Sequence, residues 1–81
     1  MLRNAHMPLS HLPIGVNGKV VDITAKGLTR RRLLDLGLIH GTQVRAIRKS
    51  PSGDPVAYKI RGAIIALRQE EASYILIEQF V

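Results

Sequence analysis

Val56-Ala57-Tyr58-Lys59-Ile60-Arg61-Gly62-Ala63-Ile64-Ile65-Ala66-Leu67 reads as two β-strands joined by a tight turn. Val56, Tyr58 and Ile60 alternate with Ala57, Lys59 and Arg61, the period of two that lays one face of a pleated strand on a core. Arg61-Gly62 is the turn signal, and the chain returns through Ala63 to Arg68 with Ile65 and Leu67 as the inward pair. Upstream, Ser50-Pro51-Ser52-Gly53-Asp54-Pro55 is a loop with two prolines and a glycine. Before the loop, Thr42 to Lys49 is extended, with Val44 and Ala46 on one face. Ile47 falls with Arg45 and Lys49 on the other face. That breaks the alternation and predicts a bulge or a partly covered second face. Downstream, Gln69-Glu70-Glu71-Ala72 reads as one helical turn and Tyr74 to Glu78 as the last strand.

The N-terminal half adds one strand and one helix. Asn17-Gly18 is a turn signal, followed by the strand Lys19-Val20-Val21-Asp22-Ile23-Thr24 with Val21 and Ile23 inward. Pro8-Leu9-Ser10-His11-Leu12 reads as a single helical turn closed by Pro13 and Gly15. The helix is short, about Arg30 to Leu36. Thr29 serves as its N-cap, Leu28 and Leu33 have hydrophobic-staple spacing, and Gly37 sits where a left-handed C-terminal cap would fall. Leu33, Leu34, Leu36 and Leu38 supply its buried side. The expectation is a mainly β fold: a small, closed SH3-like barrel of about five strands with one short helix inserted after the first strand. Closure would remove exposed strand edges. An oligonucleotide-binding barrel is the rival, though it usually needs a longer chain.

The 81 residues hold one domain, with 1–7 read as a loose N-terminal extension and 8–81 as the barrel. Hydrophobic residues at 46% and charged residues at 22% place the chain among globular proteins. No cysteine is present, so neither a disulfide framework nor a thiolate metal site holds it together. The longest apolar run, Ala63 to Leu67, falls far short of the roughly 20 residues of a membrane helix. His6, Pro8, Ser10, His11 and Pro13 interrupt any signal-peptide core. These features predict a soluble protein that stays where it is made.

Catalytic chemistry is hard to find. Glu70 and Glu71 are adjacent and do not face one another on a helical turn. Asp54 precedes Pro55, a common local hydrogen-bonding position in turns. No Ser/His/Asp set stands out, and none of His6, His11 and His40 has the spacing of a helical metal pair. Gly37-Leu38-Ile39-His40-Gly41-Thr42 lacks the lysine and the following helix of a phosphate loop. The sequence therefore predicts no enzyme, no cofactor and no dedicated metal site.

Charge is more informative. Lys and Arg total 12 against 6 Asp and Glu, a net +6, which favours an acidic partner. Arg30, Arg31 and Arg32 occupy the first helical turn, where the helix dipole is already positive and each cation costs about 0.3–1 kcal/mol. Two readings of the cluster stay open: a solvated face whose stems cover apolar surface, or a patch presenting forked donors to carboxylates or phosphates. Arg45, Arg48, Lys49, Lys59 and Arg61 would widen such a patch. Nucleic acid is disfavoured, because single-strand readers add stacking aromatics and only Tyr58, Tyr74 and Phe80 are present.

Leu28-Thr29-Arg30-Arg31-Arg32-Leu33-Leu34-Asp35-Leu36-Gly37-Leu38, followed by Gly41-Thr42-Gln43-Val44, resembles the signature of the FeoA (ferrous-iron transport protein A) family. Gly53-Asp54-Pro55, and Gly62 followed by Ala66-Leu67-Arg68, are similar to its second half, and Leu9-Ser10-His11-Leu12, Gly15 and Gly18-Lys19-Val20 to its opening. The correspondence runs from Pro8 to Ile77, with His40 standing where the family commonly has proline. The resemblance implies an SH3-like barrel acting as a small cytoplasmic adaptor of bacterial ferrous-iron uptake, or one held peripherally at the inner membrane through its partner. That partner would be the membrane GTPase iron permease FeoB. On this reading Arg30, Arg31, Arg32, Arg45, Arg48, Lys49, Pro51, Asp54 and Pro55 form the partner-binding face, helped by exposed Ile47 or Ile64. Family domains are often described as binding transition metals, and weak metal binding stays open. So do two other readings, a basic barrel that binds RNA or DNA and a metal-sensing, repressor-like module.

Overall fold

The hairpin forms as its sequence predicts. In the computed structural model, which describes residues 6–80, the strands Val56–Ile60 and Ala63–Leu67 pair antiparallel from Ile60↔Ala63 to Val56↔Leu67. Arg61 and Gly62 lie at φ 52° and 85°. Positive φ at both central residues is what a two-residue turn needs to match the twist of its flanking strands.

In chain order the elements are β1 (His6–Pro8), a 3-10 turn (Leu9–His11), β2 (Asn17–Ile23), α1 (Gly27–Asp35), β3 (Gln43–Lys49), β4 (Val56–Ile60), β5 (Ala63–Leu67), α2 (Gln69–Ser73) and β6 (Ile75–Phe80). They build a six-stranded antiparallel sheet in the order β1-β6-β2-β3-β4-β5, against the five strands expected. The additional strand comes from the segment read as a loose extension. His6 and Met7 pair with Glu78 and Ile77 of β6, while residues 1–5 lie outside the described residues. The helix accordingly follows the second strand. Among the described residues the expected closure is not made by hydrogen bonds, and β1 and β5 end the order. β1 is three residues long and finishes at Pro8, which has no N–H to donate, so that edge stays short.

The inner face of the curled sheet carries a single core of Leu9, Val20, Leu33, Leu38, Val44, Tyr58, Ile60, Leu67, Ile75 and Ile77, all essentially inaccessible. The 3-10 turn and α2 pack on each other at one end, where Leu9 and Ala72 are buried. Two bulges set which residues face inward. The one expected around Ile47 is present, because the β3–β4 register shifts between Ala46 and Arg48. The other lies at Val21, where β2 shifts against β6 between Val20 and Asp22. It places Val20 and Ile23 in the core and leaves Val21 half-buried, in place of the expected Val21 and Ile23. Asn17 and Gly18 open β2 and do not make a turn. A Cβ on Gly18 would come within 2.9 Å of Ile77 Cδ1, so this glycine serves close strand packing.

The helix begins earlier than expected. Lys26 is its N-cap residue, its carbonyl accepting from Arg30 N–H at 3.4 Å, and Thr29 falls inside the first turn. No side chain caps this end. Leu28 is 87% exposed, so the staple with Leu33 is not made. The C-terminus follows expectation: Gly37 N–H donates to Leu34 O (2.9 Å) and Leu38 N–H to Leu33 O (3.2 Å), the paired bonds of a Schellman motif. Leu33 and Leu38 enter the core, while Leu34 and Leu36 pack at its margin. Leu33→Ala should therefore destabilise the domain by about 2–5 kcal/mol in urea unfolding. Leu28→Ala, at the other end of the same helix, should change stability by less than about 0.5 kcal/mol.

Candidate partner-binding surface

The three arginines lie deeper in α1 than the first turn expected of them, because the helix begins at Gly27 and Arg32 already belongs to its last turn, and they do different things. Arg30 Nη1 donates to Ile23 O at 2.8 Å, tying α1 to the end of β2. Arg32 pairs with Glu71, the second acidic residue of the first turn of α2. Arg31 is exposed and forms no side-chain hydrogen bond or ion pair among the described residues. Two of the three cations are thus partnered within the molecule, and Arg32, in the last turn of α1, stands toward the end of the helix dipole that favours a cation.

Asp54 is also partnered. Its Oδ1 accepts from Gln69 N–H at 2.9 Å, while Glu71 Oε1 accepts from Arg68 N–H at 3.0 Å. Backbone N–H groups at the start of a helix have no intrahelical acceptor, and these two carboxylates satisfy one inside α2 and one at its N-cap. Glu71 serves twice, holding its own helix start and the Arg32 guanidinium. The Asp54–Pro55 peptide is cis.

Of the other predicted site residues, Arg45 and Arg48 lie on the outer face of β3, Lys49 ends that strand, and Pro51 and Pro55 belong to the loop that follows. Arg48, Lys49, Pro51 and Pro55 come together with Ala57 and Ala66 around an open groove of about 480 Å³. Arg45 lies toward the other end of the same strands in a second groove of about 490 Å³, lined by Asn17, Gln43, Lys59, Arg61 and Gly62 among others. Arg45 and Lys59 are direct cross-strand partners. The stem of Arg61 runs over the end of α1, its Cδ standing 2.6 Å from where a Gly37 Cβ would be. Thr42 Oγ1 donates to Gly37 O at 2.9 Å below it. Sequence reading named Lys59 and Arg61 only as an extension of the helix patch. The signal that groups them with Arg45 is strand register, which appears only once β3 and β4 are paired. Of the apolar residues expected to help, Ile64 is 59% exposed and Ile47 is half-buried.

Among the described residues no three His, Asp or Glu side chains gather to hold a metal, and no helix is long and apolar enough to cross a membrane. Tyr58 holds its proton more tightly than a free phenol. Burial, and then the negative charge of Asp54, push its phenol up to about 12. Its hydroxyl lies 3.4 Å from Leu9 O, to which it donates.

The fold is that of a small SH3-like domain. The chain belongs to the FeoA domain family, whose model matches residues 7–79. It is 35% identical over 72 residues to the Fe(2+) transport protein A/Fe(2+) transporter FeoB fusion protein of Porphyromonas gingivalis, covering 89% of this chain and 8% of that much longer protein. The NMR structure of a FeoA-like protein from Clostridium acetobutylicum superposes with a TM-score of 0.89 at 32% identity, covering 99% of this chain and 92% of that one. The crystal structure of Stenotrophomonas maltophilia FeoA with zinc, described as a procaryotic SH3 domain protein, superposes with a TM-score of 0.79 at 32% identity over 88% of each chain. The SH3-like fold and the family expected from the sequence are both as found.

Two measurements test this network. A phenol whose affinity for its proton is higher in the folded state stabilises the fold below the ordinary value of 10.0, and loses that contribution as pH rises toward about 12. Unfolding free energy should fall over this interval, and Tyr58→Phe should flatten the fall relative to wild type. Glu71→Gln should destabilise more than Arg32→Gln in thermal melts. The arginine variant loses only a partly exposed ion pair, worth about 0–1 kcal/mol, whereas the glutamine also weakens the bond to Arg68 N–H.

Proposed function

We propose that this chain is a non-catalytic accessory domain of ferrous-iron uptake that binds the cytosolic part of a FeoB-type iron permease and modulates its transport. The observation that carries the reading is the P. gingivalis relative, in which a homologue of this chain and a FeoB transporter are parts of one polypeptide. Fusion raises the effective concentration of two modules for each other without adding a contact. It is favoured when the two must meet. A net charge of +6 supports electrostatic steering toward an acidic face.

The docking face assigned here is the groove of Arg48, Lys49, Pro51 and Pro55. Arg31 is the member of the arginine cluster with no partner to give up among the described residues. Arg30, Arg32 and Asp54 contribute by fixing α1 and α2 in place, so substituting them confounds binding with stability. Activity on the permease, through nucleotide hydrolysis or through assembly, follows from occupancy of this face.

The test is binding of the purified chain to the detergent-solubilised permease of its source organism at near-physiological salt, with RNA as competitor. The expected result is binding that survives RNA. Arg48→Gln combined with Lys49→Gln should slow association by about tenfold and flatten its salt dependence, with an unchanged melting temperature. Retention on RNA with no binding to the permease would overturn the reading and favour a nucleic-acid partner. Wild-type affinity in the double variant would move the docking face away from this groove.

A further inference from the structure

The groove that holds Arg45 has a property the fold does not require. Arg45 and Lys59 are directly opposed in the β3–β4 ladder and both are exposed. Like charges so placed repel one another across a strand pair. A third cation, Arg61, lines the same groove from a turn position at φ 52°, a conformation that ordinary side chains seldom adopt. Among the described residues no carboxylate pairs with any of the three, and no acidic residue lines the groove. Asn17 and Gln43 add amide groups able to donate. A sheet shaped only for stability would set an acidic or β-branched residue at one of the two opposed positions. This arrangement repels itself and is relieved by an anion.

Spacing and shape select the anion. Lys59, the last outward residue of β4, and Arg61, in the turn after it, flank the extended residue Ile60, so their Cα atoms lie about 7 Å apart. Carboxylates at alternate positions of an extended peptide repeat at the same distance and on the same side. Arg45 beside Lys59 gives the first carboxylate a forked donor and an ammonium together. Ile64, cross-strand from Lys59, leaves apolar surface beside the charged pair for a neighbouring aliphatic side chain. Among the side chains the structure describes, no aromatic lines the groove.

We propose that the groove formed by Arg45, Lys59 and Arg61 binds an extended acidic segment of a partner protein, whose carboxylates two residues apart are held by Arg45 with Lys59 and by Arg61. The assignment does not depend on which protein carries the segment. It stands or falls separately from the permease reading.

The probe is a fluorescein-labelled peptide of alternating glutamate and valine, followed by anisotropy and by amide shift mapping on the full chain at low salt. Shifts should be confined to Asn17, Gln43 to Arg45 and Lys59 to Gly62, and the matching glutamine–valine peptide should bind far more weakly. Lys59→Gln should lower affinity about threefold to tenfold while the melting temperature holds or rises, because the cross-strand repulsion is removed. A residue that only supported the fold would give the reverse, a lower melting temperature and unchanged affinity. Shifts centred on Arg31 or on Arg48 to Pro55, equal binding of the glutamine peptide, or wild-type affinity in Lys59→Gln would each overturn the proposal. So would a single-stranded oligonucleotide that shifts the same amides at lower concentration than the acidic peptide.

Discussion

The pleat of β3 and β4 is the constraint on which both the core and the binding surface depend. Each residue of a strand goes to one side or the other, and Val44, Ala46, Tyr58 and Ile60 are committed to a core that has few other residues to draw on. Once they face inward, Arg45 and Lys59 must face outward and must oppose each other. The basic outer face is thus a direct consequence of the register that fills the core. A chain of this length buries only about 60–65% of the surface its unfolded form exposes, so the register has little freedom to shift. Sliding one strand by a single residue would expose Tyr58 and bury Lys59.

Where apolar burial is thin, the helices are held by polar tethers. α2 has five residues and inserts only Ala72 into the core, too little to hold a helix by packing alone. Its N-terminus is instead fixed by Asp54 from the loop between β3 and β4 and by Glu71 from its own first turn. Glu71 then reaches Arg32, and Arg30 reaches the carbonyl of Ile23. These contacts link β2, α1, α2 and the Ser50–Pro55 loop without using any core side chain. Two members of the arginine cluster are thus spent on holding elements together.

The sequence made the hairpin, the bulge near Ile47 and the helix C-terminus legible because each is a local pattern: alternation, a break in alternation, and a leucine-rich turn ending in glycine. It misplaced the inward residue of β2 because Val20, Val21 and Ile23 are equally apolar and β-branched. Only the pairing with β6 decides that Val21 is the bulged residue. The helix start was misjudged for a related reason. Thr29 and Leu28 satisfy the local rules for a cap and a staple, yet the backbone bond from Arg30 to Lys26 begins the helix before either can act. The strand His6–Pro8 has no hydrophobic alternation of its own and exists through its pairing with β6. At the candidate surface, charge was visible and its allocation was not. The acceptors of Arg30 and Arg32 lie in other elements, and so does the cross-strand neighbour of Arg45.

That allocation separates residues the fold uses from residues it leaves over. Arg30, Arg32 and Asp54 have donors or acceptors inside the molecule, and a partner that recruited them would first have to break those contacts. Arg45, Lys59, Arg48, Lys49 and Arg31 carry no such internal debt among the described residues. Exposed cations without partners cost the fold little individually, but two of them opposed across a ladder repel, and stability alone gives no reason to retain that pair. Natural domains commonly keep such locally unfavourable features where a function uses them and compensate elsewhere. Here the compensation is in plain view on the opposite face of the same strands, where Tyr58 and Ile60 are sealed in the core on either side of Lys59.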